Sequence, residues 1–346
     1  MAMKKKLISL ALTATLFGTM LVGCGQPAEE NAGGSEGAKE VKIGMVTDTG
    51  GVNDQSFNQS AWEGLKKAEA EFGIKASYQE SKQDADYVPN IENLVDQEND
   101  LIWGIGFKMA DAVKEAAANY PDQKFAIIDN SYGDETPENV IGVTFKEEQC
   151  SYLVGLIAGK MTKTNKVGFI GGIEVPLIQR FEYGFKAGVK EANPDVEIFS
   201  QYANSFSDPA KGKAIAKQMY SNGADILYHA AGDTGTGMIE AAKEEGKFAI
   251  GVDRDQNSLA PDNVITSAMK RVDNALYDVS KKLSEGTFEG GTTVTYGLAE
   301  GGVDIAPTSD KNVPEDILTY VNEEKQKIID GEIVVPSTKE EFDAMK

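Results

Sequence analysis

From residue 41 onward, short β-branched or apolar runs alternate with longer stretches that carry an apolar position every three or four residues. The runs predict strands over 41–47, Lys75–Gln79, Leu101–Ile105, 125–129 and Val140–Phe145. A second series follows over Lys166–Gly171, 196–202, 226–229, 248–252 and 264–268. The clearest helical stripe is Phe57, Ala61, Leu65, Ala68 and Phe72, preceded by Asp54 and Ser56 as capping residues. Similar spacing predicts helix over Ala110–Asn119, 152–161, 177–191, 210–221, 237–245 and 272–285. Residues 292–306 read as further strand returning across the molecule, and 314–330 as a closing helix.

Strand–helix alternation of this kind builds right-handed βαβ units and parallel sheets. So many strands exceed one sheet of this size, and the series divides near 145–149. The expected fold is therefore α/β, with two doubly wound parallel-sheet lobes. The first takes 41–146 plus about 256–295, the second 147–255 plus about 296–346. Ligands of open α/β sheets sit beyond the carboxyl ends of the strands, so two facing lobes place a ligand in the cleft between them.

The segment ahead of this pattern changes the expected address. A basic start (Lys4, Lys5, Lys6), an apolar run over 7–22 and then Leu21-Val22-Gly23-Cys24 read as a secretion signal ending at a cysteine. That ending resembles the bacterial lipoprotein box, which implies a lipidated Cys24 and a protein held on the outer face of the cell membrane. Residues 25–39 are rich in Gly, Ala, Glu and Ser without hydrophobic periodicity, a flexible stalk with a reach on the order of 20 Å. The formal charge of −21 excludes nucleic acid as a partner, because a phosphate-binding surface needs clustered Lys and Arg.

Several chemistries are excluded in the same way. The chain has 2 cysteines, Cys24 and Cys150, so a lipidated Cys24 leaves Cys150 alone in an apolar helical run, as a small core residue. Its 1 histidine, His229, sits inside a predicted strand, which argues against a Ser-His-acid triad and a histidine zinc site. Gly232-Asp233-Thr234-Gly235-Thr236-Gly237 matches neither phosphate-loop nor dinucleotide spacing, and reads as a turn admitting a ligand to the backbone. Neither a metal nor a cofactor is expected.

The residues just after each strand carry the candidate function. Asp48 to Gln59 combines two glycines, many polar side chains and one large aromatic, Phe57, at a helix start. Gly104-Ile105-Gly106-Phe107 and Asp129-Asn130 end the third and fourth strands. Arg180 to Phe185, Asn204 to Asp208, Gly232 to Gly237, Asp253-Arg254-Asp255 and Lys270 occupy the matching edge of the second half. Aromatic faces with carboxylates and one lysine suit a flat ring carrying a polyol: rings stack on the planar part and carboxylates accept from vicinal hydroxyls.

At these residues the chain resembles the basic membrane protein (PnrA-like) lipoproteins, purine-nucleoside-binding components of ABC importers. The resemblance rests on Asp48 to Gln59, Phe185-Lys186-Ala187-Gly188-Val189, Phe206 to Gly212 and Gly251-Val252-Asp253-Arg254-Asp255-Gln256, and spans 42 to about 306. It implies a type I periplasmic-binding-protein fold whose lobes, joined by a three-stranded hinge, close on a nucleoside. Phe57 is then expected to stack on the purine, with Phe206, ahead of Phe181, on the opposite face. Asn58 and Asp129 are expected at the base, with Asp48 either contacting it or only ordering the turn. Asp253, Lys270 and the backbone at Gly232 are expected at the ribose. The implied partner is an ABC permease that recognises the closed form, with no chemical step. The rival readings are a receptor for a simple sugar or signalling ligand, a surface adhesin, and a secreted hydrolase.

Overall fold

A computed structural model describes residues 40–345; the signal, Cys24 and the stalk lie outside the described residues. The first sheet takes β1 (Lys42–Val46), β2 (Lys75–Gln79), β3 (Leu101–Ile105), β4 (Lys124–Ile128), β5 (Val140–Phe145) and β11 (Thr292–Tyr296). Its order is β11-β5-β4-β3-β1-β2, parallel throughout. The second sheet takes β6 (Lys166–Gly171), β7 (Glu197–Tyr202), β8 (Ile226–Ala230), β9 (Phe248–Asp253), β10 (Val264–Lys270) and β12 (Val303–Ile305). It runs β12-β10-β9-β8-β6-β7 and is parallel except for β12, which lies antiparallel to β10. Central strands such as β3 and β8 are buried along their whole length, as sheets covered on both faces require.

Helices α1 (Phe57–Phe72), α2 (Tyr87–Asp96), α3 (Ala110–Asn119) and α8 (Val272–Ser284) belong to the first lobe. The second carries α4 (Glu147–Met161), α5 (Pro176–Ala192), α6 (Pro209–Ser221), α7 (Asp233–Glu245), α9 (Glu315–Ile329) and α10 (Lys339–Ala344). Two of these helices, α2 and α10, have no counterpart in the periodicity reading. α2 is short, and its buried positions are only Tyr87, Ile91 and Leu94.

The chain crosses between lobes at three places: Phe145 to Glu147, Lys270 to Val272, and Tyr296 to Val303. The crossings are tied together. Lys146 N donates to Tyr296 O at 2.9 Å, Arg271 N to Gly302 O at 2.8 Å, and Leu298 N to Gln149 Oε1 at 2.8 Å.

Two expectations are corrected here. The sequence reading places about 256–295 in the first lobe, but β10 pairs with β9 in the second sheet, so the chain returns to the first lobe only at Arg271. The stretch 292–306 is two strands in different sheets, β11 and β12, separated by the third crossing. An apolar run reads the same whether one sheet or two receive it.

Helices α4 and α5 approach closely because glycines face each other across them. A Cβ at Gly155 or Gly188 would fall inside contact distance of the Phe185 or Tyr152 carbonyl oxygen of the opposite helix. Helix propensity alone predicts that Gly188→Ala stabilises by about 1 kcal/mol. Overpacking against backbone costs about 1–3 kcal/mol and has the opposite sign. Gly188→Ala is therefore expected to lower the thermal unfolding midpoint, and a raised midpoint would contradict this packing.

Candidate functional site

The carboxyl ends of β1, β3 and β4 face those of β8, β9 and β10 across a cleft of about 610 Å³, part of it open to solvent. All nine residues singled out from the sequence line it: Asp48, Phe57, Asn58, Asp129, Phe181, Phe206, Gly232, Asp253 and Lys270.

In the first lobe, the turn after β1 is organised by Asp54. Its carboxylate accepts from the backbone N of Ser56 (2.9 Å), Asn58 (2.8 Å) and Gln59 (3.0 Å), capping the start of α1. Ser56 leaves capping to Asp54, and its hydroxyl donates instead to Asp253 of the other lobe. The Asn58 amide is held on both sides. Its Nδ2 donates to Asp48 Oδ1 (2.7 Å) and Asp54 Oδ2 (2.9 Å), and its Oδ1 accepts from Asp48 N (3.2 Å). With both amide hydrogens engaged, Asn58 has no donor left for a ligand and instead orients Asp48. Burial raises the Asp48 carboxyl pKa, against hydrogen bonds from Gly50 and Asn58. Phe57 is half-buried and presents its ring to the cleft beside Gly106.

The two candidate aromatic residues of the second lobe differ. Phe181, on α5, is 3 % exposed and has the Lys270 ammonium 5.6 Å from its ring centroid. Phe206, in the loop between β7 and α6, is only half-buried. Its ring lies against the backbone of Gly172, where any Cβ would collide with it. Gly172 was not singled out from the sequence; the Gly171-Gly172 pair at the end of β6 was the available signal.

Gly232 adopts φ +55 and its peptide lines the cleft beside Ala230 and Ala231. The rest of the Gly232–Gly237 segment departs from the expected open turn. Gly235 and Gly237 lie inside α7, packed against the His229 ring and the Pro209 carbonyl. They serve helix packing. His229 is buried, its Nε2 2.9 Å from Gln256 Oε1, and burial lowers its pKa to about 4. Cys150 is buried in α4.

Lys270 anchors the cleft floor. Its ammonium lies 2.6 Å from Asp129 Oδ1 and 3.0 Å from Glu147 Oε1, and 5.3 Å and 5.1 Å from the ring centroids of Phe57 and Phe145. Burial lowers the pKa of the ammonium, but Asp129, Glu147 and Asp253 outweigh it, so the net shift is upward. Burial raises Asp253 to about 7 against the opposing pull of Lys270 and Ser56, and raises Glu147 to about 7 against Lys270. Glu147 is wholly buried beneath the cleft at the first hinge crossing and was missed; an acidic residue at that crossing was its only sequence signal. Asp129, expected at the base, stands here with Lys270.

The arrangement can grip hydroxyl groups and a planar ring. Ser56 donates to a carboxylate, and the buried His229 does not line the cleft, so the parts of a histidine-assisted nucleophile are not assembled. Among the described residues no cluster of acidic, cysteine or histidine side chains is disposed to hold a metal, and no helix is long and apolar enough to cross a membrane. Beside the cleft the lobes touch: Gln256 Nε2 donates to Gln55 O (2.9 Å) and Arg254 Nη2 to Glu63 Oε1 (2.8 Å).

Known proteins share this organisation. Residues 41–339 match the family described as "ABC transporter substrate-binding protein PnrA-like". The chain is 40% identical to the "ABC transporter nucleoside-binding protein BmpA" of Lactococcus lactis subsp. cremoris, across 97% of this chain and 100% of that protein. It is 44% identical to "Basic membrane protein A" of Borreliella burgdorferi, across 90% and 92%. A solute-binding protein of an ABC transporter system from Aeropyrum pernix K1 superposes with a TM-score of 0.80 at 31% identity, covering 88% of this chain and 96% of that one. The shared architecture is the type I periplasmic-binding fold, in which two α/β lobes enclose a ligand cleft. Because the match runs through both lobes and every hinge crossing, the chain belongs to the PnrA-like family of ABC transporter substrate-binding proteins, which bind their ligand without converting it.

Proposed function

We propose that this protein is the extracytoplasmic receptor of an ABC importer, anchored through a lipid on Cys24, and that its ligand is a purine nucleoside. The observation that carries this reading is the division of the cleft into two chemistries. Phe57 and Phe206 offer ring faces from opposite lobes, while Lys270, Asp129 and Asp253 form a charged floor. A purine fits between rings, and vicinal ribose hydroxyls donate to carboxylates with charge-assisted strength. The Lactococcus relative, named as nucleoside-binding, supports the same assignment.

Phe206 suits the second stacking face better than Phe181, since Phe181 is buried against Lys270 whereas Phe206 keeps surface to offer. Asp253, Lys270, Asp129 and the peptide at Gly232 hold the ribose, and Asp48 reaches the base while Asn58 orients it. Closure removes the ring faces from water and brings both lobes into the arrangement that the permease recognises.

Titration calorimetry with guanosine, inosine, adenosine, uridine and ribose tests the class: purine nucleosides bind and free ribose does not. Ribose binding as tightly as guanosine would remove stacking from the account, and release of free base would make the protein an enzyme.

Phe57→Ala and Phe206→Ala should each weaken purine nucleoside binding by about 1–3 kcal/mol, the range for one base–aromatic stack, with folding intact. Gly172→Ala should weaken it as well by pushing the Phe206 ring aside. In the Gly172→Ala/Phe206→Ala double variant the losses should not add. Full additivity would assign Gly172 a different role.

Asp253→Asn should weaken nucleoside binding yet stabilise the unliganded protein. The folded-state pKa of Asp253, about 7, lies above its ordinary 3.8, so its contribution to stability is present at low pH and lost as pH rises through 7. The gain in thermal midpoint over wild type is therefore expected to be larger at pH 8 than at pH 5. A midpoint that falls at pH 8 would show that Asp253 stabilises the empty cleft.

A further inference from the structure

Beside the cleft the lobes are joined by a seam whose outer residues, Gln55, Glu63, Arg254 and Gln256, stand outside the cleft lining. Two turns build it. In the second lobe Arg254 N donates to Val252 O at 2.7 Å, which bends the chain sharply at Asp253, where φ is +65. In the first lobe Gln55, just before α1, has φ +55. Residues with a side chain enter this left-handed region at a cost, and stay there only where the surroundings fix them. Both strained residues bond across the lobes: Gln55 O accepts from Gln256 Nε2 at 2.9 Å, and the Asp253 carboxylate accepts from the Ser56 hydroxyl.

Neighbouring residues of the second-lobe turn face different ways. Asp253 lines the cleft, whereas Arg254, next in sequence, reaches across to the first lobe. Its guanidinium forks there, with Nη2 2.8 Å from Glu63 Oε1 and Nη1 3.4 Å from Gln55 Oε1. Glu63 is held ready on α1, because the same Oε1 accepts from Gln59 Nε2, one helical turn earlier, at 3.0 Å. The Arg254 side chain is 26% exposed, so its pair with Glu63 is screened less than one in open solvent.

We infer that Arg254 is a latch for the closed cleft: by tying the turn after β9 to α1, it raises the affinity for every ligand without touching any. A contact of this kind acts only on the balance between open and closed lobes. Apparent affinity scales with the closed fraction, so the latch multiplies all affinities by one factor. Contacts inside the cleft differ from ligand to ligand instead. Reopening has to break the latch, which places its effect in the dissociation rate. The choice of nucleosides as probes rests on the reading above; the latch itself does not.

Calorimetry and stopped-flow binding on the full chain, with inosine, guanosine and adenosine, test wild type, Arg254→Met, Glu63→Gln and the double variant. A single cooperative thermal transition shows that each variant is folded. Arg254→Met should weaken every nucleoside that binds by one common factor, about 3–10-fold for a partly exposed ion pair with a second contact. The dissociation rate should rise by that factor while the association rate stays within about twofold. Glu63→Gln should lose less, and the double variant no more than Arg254→Met alone. Unchanged affinity in Arg254→Met, a loss that differs between nucleosides by more than about threefold, or additive losses each overturn the latch and leave the nucleoside reading standing. If no nucleoside binds wild type, that reading falls and small-angle scattering of the ligand-free proteins decides the latch. A larger radius of gyration in Arg254→Met than in wild type supports it, and equal radii overturn it.

Discussion

The Lys270 ammonium lies where the hinge crossings, both sheets and the cleft floor meet. Taking an ammonium out of water is costly unless opposite charges and hydrogen-bond acceptors replace the solvent. Asp129 arrives from the first lobe, Glu147 from the first crossing, and Asp253 from the neighbouring strand of the second sheet. Each of the three carboxylate side chains is itself buried, so the lysine offsets the cost of ionising them. The group therefore stands or falls as a unit, and it joins elements far apart in the chain. Removing the lysine from such a set leaves uncompensated carboxylates in the interior, which costs about 3–5 kcal/mol.

That constraint explains why the cleft suits a ligand with several hydroxyls. Three carboxylates surround one ammonium, and burial holds two of them, Glu147 and Asp253, at pKa values of about 7. The cleft floor thus carries an excess of acceptors over donors. Hydroxyl donors relieve this imbalance where a further anion would worsen it.

Two of the segments that carry the family resemblance meet each other across the lobes. Gln55 and Ser56 from the turn before α1 contact Gln256 in the turn after β9 and Asp253 at the end of β9. Gln256 also binds His229 and the backbone of Val252, so the interlobe contact is rooted in the core of the second sheet. Part of each segment faces the cleft, and part holds the lobes together around it.

The hydrophobic spacing by itself determined the strand–helix alternation, the division into two parallel-sheet lobes and the placement of functional residues at strand ends, because burial in a covered parallel sheet demands apolar runs of that kind. Phe57, Asp253 and Lys270 were legible because each follows such a run. What the tertiary structure decided was partnership. Nothing in residues 256–270 reveals which sheet receives β10, since pairing depends on a neighbour distant in sequence. Glu147 lies ahead of the helix predicted over 152–161, and only the hinge brings Lys270 to it. Gly172, Gly235 and Gly237 are required by what packs against them rather than by turns. The commitment of the Asn58 amide to Asp48 and Asp54 likewise appears only when the turn has closed. Local periodicity records how deeply a residue is buried, whereas the choice of partner is set by contacts that the folded chain alone supplies.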